Sequence, residues 1–290
     1  MTTIVMTGAT SGIGRVAAET LLRDGATMIV GARGGGIPDG AVARQLDLAS
    51  LASVRGFAAA LPERIDGLAL NAGTQSLGVS GRTIDGFEQT FAVNHLAPYL
   101  LARLALPKLA DGARLVLTSS GTHDPREKTG IPAPRHADSA RLAYPDCDPD
   151  LDGNATVAGL RAYSSSKLCN LMTARMLARH PEVVRRGIVI HAYDPGFVPS
   201  TGLARGSPWP VRALIMPLLA RFPLLRGMNR LADAGGALAG LLTGAIDGPA
   251  VYMALRRGQP TWPDPSPLAL DDQACARLWT ESATMVGLPG

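Results

Sequence analysis

The turn that joins the first two elements constrains the fold more than any other part of the chain. A β-branched run, Thr3-Ile-Val-Met-Thr7, passes directly into Thr7-Gly8-Ala9-Thr10-Ser11-Gly12-Ile13-Gly14-Arg15, and an amphipathic helical stretch follows from Val16 to Arg23. Glycines at 8, 12 and 14 allow a tight turn and a close backbone approach, and the free amides at a helix start favour an anion. A strand, a glycine-rich turn and a helix in this order form a βα unit that seats a pyrophosphate. The residues assigned to that contact are Gly8, Thr10, Ser11, Gly12, Ile13, Gly14 and Arg15.

The same rhythm continues. Met28-Ile-Val30, Gly67-Leu-Ala-Leu70, Arg114-Leu-Val-Leu-Thr118 and Gly187-Ile-Val-Ile-His191 read as further strands. Apolar residues at helical spacing mark helices over Ile84 to Leu109, Tyr163 to Arg179, Asp233 to Leu242 and Asp271 to Val286. Strands alternating with helices predict an α/β fold, a Rossmann-type doubly wound parallel sheet with helices on both faces. No boundary interrupts the alternation, so residues 1–290 read as a single domain. Two stretches break the rhythm: residues 121–161 are rich in Pro, Asp and Gly, and residues 195–232 hold no acidic side chain. The first is expected to be a long irregular insertion before the tyrosine-bearing helix, the second a substrate lid.

Composition narrows the chemistry. Three cysteines, Cys147, Cys169 and Cys275, are too few and too far apart for a disulfide framework or a structural zinc site. The five histidines include no metal-helix spacing, so no metal is expected. No apolar run reaches the length of a spanning helix, no leader peptide is evident, and a cytoplasmic location is expected. A net charge of +4 with dispersed arginines gives no support to nucleic-acid binding. Of 28 basic side chains only Lys108, Lys128 and Lys167 are lysines, so any chemistry that needs a primary amine has three choices.

After the second strand, where a carboxylate would hold a ribose 2′-hydroxyl, the chain reads Gly31-Ala32-Arg33. Arg33, with Arg15 beside the turn, suits a 2′-phosphate, and NADPH (NADP+) is the expected cofactor; the alternative is two solvated charges. Tyr163 and Lys167 stand four apart, on one helix face. An ammonium one turn away is expected to lower the tyrosine pKa and allow proton exchange near neutrality. The same reading predicts that this helix opens at Tyr163.

In this order the motifs resemble the short-chain dehydrogenase/reductase family: Thr7 to Gly14, Asp47-Leu48, Asn71-Ala72-Gly73, Asn94, Ser120, Tyr163 with Lys167, and Pro195-Gly196 with Val198 and Thr201 downstream. The resemblance implies that Tyr163 is the proton donor or acceptor and that Lys167 holds the nicotinamide ribose and tunes the tyrosine. It further implies that Ser120 orients the substrate oxygen, with Ser119 the weaker candidate, and that Asn94 anchors a water in a proton relay. Asp47 and Leu48 fall to the adenine end; Asn71, Ala72, Gly73, Pro195, Gly196, Val198 and Thr201 fall to the rest of the cofactor.

The second half, with Tyr163-Ser-Ser-Ser-Lys-Leu-Cys-Asn-Leu-Met172 and Ala276-Arg-Leu-Trp279, is similar to the protochlorophyllide reductase and retinol dehydrogenase branch. Cys169 fits a cysteine found there, and reads equally as a small buried apolar residue. Asp194 and Phe197 depart from the photoreductase pattern of tyrosine before and cysteine after Pro-Gly. The expected activity is carbonyl reduction, or its reverse, on a bulky, largely hydrophobic small molecule. The alternatives are reduction of an activated C=C bond and, in a different class, a non-catalytic NADP(H)-binding sensor. The basic, apolar 195–232 stretch also suits peripheral contact with a membrane surface. The insertion precedes the helix through which many relatives form tetramers, so a monomer or an alternative dimer is expected.

Overall fold

Alternation along the first strand, β1 (Thr3–Thr7), decides where the two helical layers lie: Ile4 and Met6 face one side of the sheet and Val5 the other, and all three are fully buried. The computed structural model describes residues 2–199 and 228–290. Its sheet continues through β2 (Thr27–Ala32), β3 (Val42–Gln45), β4 (Ile65–Leu70), β5 (Leu109–Thr118), β6 (Val189–Asp194), β7 (Tyr252–Arg256) and β8 (Gln259–Thr261). The eight strands lie in the order β3-β2-β1-β4-β5-β6-β7-β8, all parallel except the last pair. Helices α1 (Gly12–Arg23) and α5 (Leu231–Thr243) cover the Ile4 face. The Val5 face carries α2 (Leu51–Ala59), α3 (Ala97–Ala105), α4 (Ala155–Ala178) and, behind them, α6 (Asp272–Met285).

The expected doubly wound sheet is therefore present, and three strands, β3, β7 and β8, add to those that the sequence marks; the two at the edges, β3 and β8, carry no clear sequence signal. β3 is an edge strand with mostly exposed residues, and β8 is three residues long with Pro260 at its centre. Both give up the apolar alternation that marks an internal strand, and an edge is where a proline is tolerated.

Three helices start elsewhere than the sequence predicts: α1 opens at Gly12, inside the glycine-rich turn, a full turn before Val16. The stretch expected to be helical from Ile84 begins at Gln89, where the buried Glu88 carboxylate accepts hydrogen bonds from the amides of Thr90 (2.8 Å) and Phe91 (2.6 Å). It then widens into a π turn, Ala92–Leu96, before α3. The tyrosine helix does not open at Tyr163 but at Ala155, capped by Asn154 on the Val157 amide (3.1 Å), so Tyr163 lies two turns inside it. The extra turns give α4 a face on which the loop after β4 rests. At Gly159 a Cβ would fall 2.3 Å from the Ser76 carbonyl oxygen and 2.4 Å from the Gly78 nitrogen.

The insertion is less irregular than expected, with a short helix over Ser139–Ala143, single helical turns around it and its last residues, from Ala155, already in α4; ion pairs tie it down. Arg161, on α4, pairs with Asp152 (2.6 Å), Asp152 also with Arg135 (2.8 Å), and Arg141 with Asp148 and Asp150. At the far end α6 straps across α3: the Tyr99 hydroxyl donates to the Trp279 carbonyl (2.9 Å), and the Arg103 guanidinium lies 4.7 Å from the Trp279 ring. His95, fully buried in the π turn, meets the Ser282 hydroxyl at 2.9 Å.

A glycine-to-alanine change inside a helix ordinarily stabilises by about 1 kcal/mol. Gly159→Ala reverses the sign and costs about 1–3 kcal/mol, because the loop backbone must move. Urea denaturation of the two proteins measures it.

Candidate active site

The glycine-rich turn is shaped by what packs against it. Gly8 has φ +72°, and a Cβ there would fall 2.7 Å from Ala72; at Gly14 it would fall 2.2 Å from the Gly8 oxygen and 2.5 Å from Asn71 Nδ2. Asn71 donates to the Gly8 oxygen (3.2 Å) and accepts from the Thr118 hydroxyl (3.2 Å), while the Ala72 amide donates to the Thr7 hydroxyl (3.2 Å). These bonds span β1, β4 and β5 at the point where strand order reverses, the place where open α/β sheets bind ligands. Ser11 precedes α1 in extended conformation, its side chain caps nothing, and no acidic residue stands in the first turn. The start of α1 is therefore an anion seat, with Thr10 half-buried and Ile13 buried beside it.

The charges around this seat differ in freedom. Arg15 is paired with Glu19 (2.7 Å) one helical turn on. Arg33, after β2, is exposed, and no ion pair or hydrogen bond among the described residues engages it. Asp47, after β3, is oriented inward: its Oδ1 accepts from the Ala49 amide (3.0 Å) and its own amide donates to Ser53 Oγ (2.9 Å), with Leu48 half-buried next to it.

The side chains that the sequence singles out as catalytic come together after β5. Lys167 is 3% exposed; its Nζ donates to the Thr118 carbonyl (3.0 Å) and lies 5.7 Å from the centroid of the Tyr163 ring. A Cβ on Gly73 would stand 3.3 Å from that Nζ, so the glycine leaves room for the ammonium. Ser119 is taken up structurally, donating to the Lys167 carbonyl (2.8 Å), whereas the Ser120 side chain hydrogen-bonds with Tyr163. Asn94, in the π turn, donates to the Thr74 carbonyl (2.8 Å) and Ser166 Oγ (3.0 Å) and accepts from the Thr74 amide (2.7 Å). Its side chain thus clamps the loop after β4 to α4.

The electrostatics differ from the sequence expectation. Burial holds the Tyr163 phenol well above its ordinary pKa; the Ser120 hydroxyl beside it pulls down, and the Asp194 carboxylate adds to the rise. Lys167 makes no hydrogen bond to the phenol, and its own pKa is pulled by burial to about 8, with Asp194 opposing the fall. The tyrosine is therefore held protonated, not poised as a phenolate. Cys169 is fully buried with its thiol pushed up by burial, the behaviour of a small apolar residue.

Sequence reasoning missed the residues that fix the Pro195-Gly196 turn. Buried Asn229 donates to the carbonyls of Pro195 and Leu255 (2.8 Å each) and accepts from the Gly258 amide (2.8 Å). Asp194 accepts from the Gly196 amide (2.9 Å) and pairs with Arg256 (2.8 Å). Neither stands in a local pattern that marks it. Val198 is buried close by. Thr201 and the apolar side chains from Trp209 to Leu225 lie outside the described residues, as does most of the expected lid. Among the described residues no helix is long and apolar enough to cross a membrane, and no cluster of His, Cys, Asp or Glu could hold a metal.

A buried ammonium costs stability that its replacement recovers. Lys167→Met stabilises the fold by about 1–3 kcal/mol at pH 7. The lysine penalty is complete below pH 8, shrinks as the folded protein gives up its proton first, and is gone above the ordinary 10.5. Denaturation of both proteins from pH 7 to 11 should show the difference closing. The Thr118 carbonyl keeps Asn170 as a donor in the variant.

Comparison with known proteins agrees with this arrangement. The family model described as short chain dehydrogenase matches residues 2–129. The chain is 35% identical to dehydrogenase/reductase SDR family member 13 of Bos taurus, over 99% of this chain and 74% of the relative. It is also 35% identical to a Streptomyces protein named for daunorubicin C-13 ketoreductase activity, over 98% of this chain and 92% of that one. With protochlorophyllide reductase A of rice the identity is 30%, over 98% and 80%. A solved structure from Mycobacterium paratuberculosis, of uncharacterized function, superposes with a TM-score of 0.69 at 28% identity, covering 100% of this chain and 94% of that one. The glycine-rich turn at the switch point, the Tyr163 and Lys167 pair and these matches over nearly the whole of this chain agree: the chain belongs to the short-chain dehydrogenase/reductase family, in the branch that includes the protochlorophyllide reductases.

Proposed function

We propose that the protein is an NADPH-dependent oxidoreductase that reduces a ketone or aldehyde of a bulky, largely hydrophobic small molecule, or oxidises the matching alcohol. The observation that carries this reading is the convergence of Ser120, Tyr163 and Lys167 after β5, beside a turn built to seat a pyrophosphate.

NADPH, when bound, supplies the hydride. The phosphates would rest on the start of α1, the adenine end near Asp47 and Leu48, and the nicotinamide end against Asn71, Ala72, Gly73 and the Pro195-to-Val198 turn. The chain's own residues manage the oxygen. The Ser120 hydroxyl donates a hydrogen bond to the carbonyl oxygen and orients it. Tyr163, which burial keeps protonated at neutral pH, gives that oxygen its proton as negative charge develops there. Lys167, still mostly protonated at neutral pH, balances the phenolate left behind. Asn94 holds the π turn and the loop after β4 in place behind the lysine and is assigned the relay water.

Arg33 supports NADPH over NADH: an exposed, unengaged guanidinium after β2 suits a 2′-phosphate and leaves no carboxylate to repel it. The similarity to a rice protochlorophyllide reductase keeps reduction of an activated C=C bond as a second reading. Asp194 and Phe197 flanking Pro195-Gly196 favour the carbonyl. A cofactor sensor has no use for a buried lysine that costs stability.

A carbonyl and enone panel, followed by NADPH and NADH oxidation in parallel, separates these readings; turnover of enones alone would replace the carbonyl assignment. Tyr163→Phe should bind NADPH with unchanged affinity and lose about 10²–10⁴-fold in kcat; unchanged turnover would remove the proposed mechanism. Arg33→Asp should weaken NADPH binding by about tenfold or more while leaving NADH binding near its starting value, as loss of one charge-assisted phosphate contact implies. Fluorescence titration of both cofactors reads it.

A further inference from the structure

We propose that Asp194 is a positioning residue: together with Arg256 and Tyr252 it holds the Ser120 loop and the Pro195-Gly196 turn in a fixed relation to the reacting pair on α4. This rests on the reading of Ser120 and Tyr163 given above.

Asp194 ends β6 and is 1% exposed. Both its oxygens are used: Oδ1 accepts from the Gly196 amide (2.9 Å), and Oδ2 accepts from Arg256 Nη1 (2.8 Å) and the Tyr252 hydroxyl (3.2 Å). The second arm of Arg256 reaches Glu127 (3.0 Å) on the insertion. The backbone directly after Ser120 lies on this ion pair, since a Cβ on Gly121 would fall 3.1 Å from Asp194 Oδ2 and 3.4 Å from Arg256 Nη2. The carbonyl of Ser120 is held as well. His123 Nδ1 donates to it (2.8 Å), while Nε2 accepts from the Ser266 amide (3.4 Å). An acceptor on one nitrogen and a donor on the other require the neutral, Nδ1-protonated imidazole. That ring stands edge-on to Tyr252 at 5.1 Å, so Tyr252 touches both anchors. The chain thus invests one buried carboxylate, a guanidinium, a phenol and an imidazole behind a single serine, all supplied by β6, β7 and the insertion.

The carboxylate also acts through its field. From β7 it faces Arg256 and Tyr252, from the insertion Glu127 and His123, from α4 Tyr163 and Lys167, and on its own strand Tyr193. It favours the protonated form of both Tyr163 and Lys167. Removing its charge should therefore lower the pH, about 8 in the parent, at which Lys167 loses its proton and can no longer balance the Tyr163 phenolate.

The test uses the full chain and the isosteric variant Asp194→Asn, with a carbonyl substrate from the panel. The expected result is a kcat lower by about 10–100-fold, NADPH affinity within about twofold of the parent, and a high-pH limb of kcat/KM moved about one unit toward lower pH. Unchanged kcat and pH profile would overturn the proposal. So would a parallel loss of turnover and NADPH binding with the limb unmoved, which marks general structural damage. If Asp194→Asn does not fold, Arg256→Lys keeps the charge but breaks the bridge between Asp194 and Glu127, and the same kcat loss without loss of NADPH binding is required of it. Amide hydrogen exchange over residues 120–123 is independent of turnover. Exchange in the variant should rise about tenfold there relative to α1 and α5; equal protection would overturn the positioning role even in a protein that showed no turnover at all, whereas a parent without turnover on any carbonyl counts against the function and not against Asp194.

Discussion

Three strands of the sheet are joined at one amide side chain. Asn71 donates to the Gly8 oxygen from the end of β4 and accepts the hydroxyl of Thr118 from the end of β5, while the Ala72 amide next to it takes up the Thr7 hydroxyl of β1. The spacing is tight enough that neither Gly8 nor Gly14 could carry a side chain without driving these strands apart. This contact sets the depth of the seat at the start of α1. Thr118, anchored there by its side chain, turns its carbonyl to Lys167 and Asn170, so the position of the ammonium follows from the same junction. The start of α1 and the Tyr163–Lys167 pair thus lie on two sides of one junction of three parallel strands.

Burial is what gives the site its chemistry. The same exclusion of water lifts the Tyr163 phenol and depresses the Lys167 ammonium, and the Asp194 carboxylate pushes both toward protonation. For the lysine the two effects oppose each other and a charged form survives at neutral pH; for the tyrosine they add. An exposed pair at the same spacing would be a pair of surface residues with no special properties. Here the helix carrying them is buried along most of its length, and Gly73 and Gly159 let the loop after β4 close upon it.

The parts legible in the sequence are those in which chemistry and spacing are local. Gly8, Gly12 and Gly14 between a strand and a helix, or Tyr163 and Lys167 one turn apart, declare themselves within a few residues. The Asp194 cluster does not: its carboxylate gains meaning only from Arg256 and Tyr252 some 60 positions on, and from Glu127 far upstream. Asn229 is equally silent, a single amide whose partners, Pro195 and Leu255, come from two other segments. The start of α4 at Ala155 is hard to read from sequence for a related reason. Ala155 to Ala162 lie against an insertion held by ion pairs among Arg135, Arg141, Asp148, Asp152 and Arg161, so they lack the apolar periodicity that a helix packed on the core would show.

The contact of His95 with Ser282 ties α6 to the π turn. His95 follows Asn94 in the π turn and stays neutral, its pKa taken to about 3 by burial, while Ser282 belongs to α6. Helix α6 is therefore in mechanical series with the clamp behind Lys167. Removing α6, or loading it with a bulky appendage, changes the floor beneath Lys167 as well as the rim of the core.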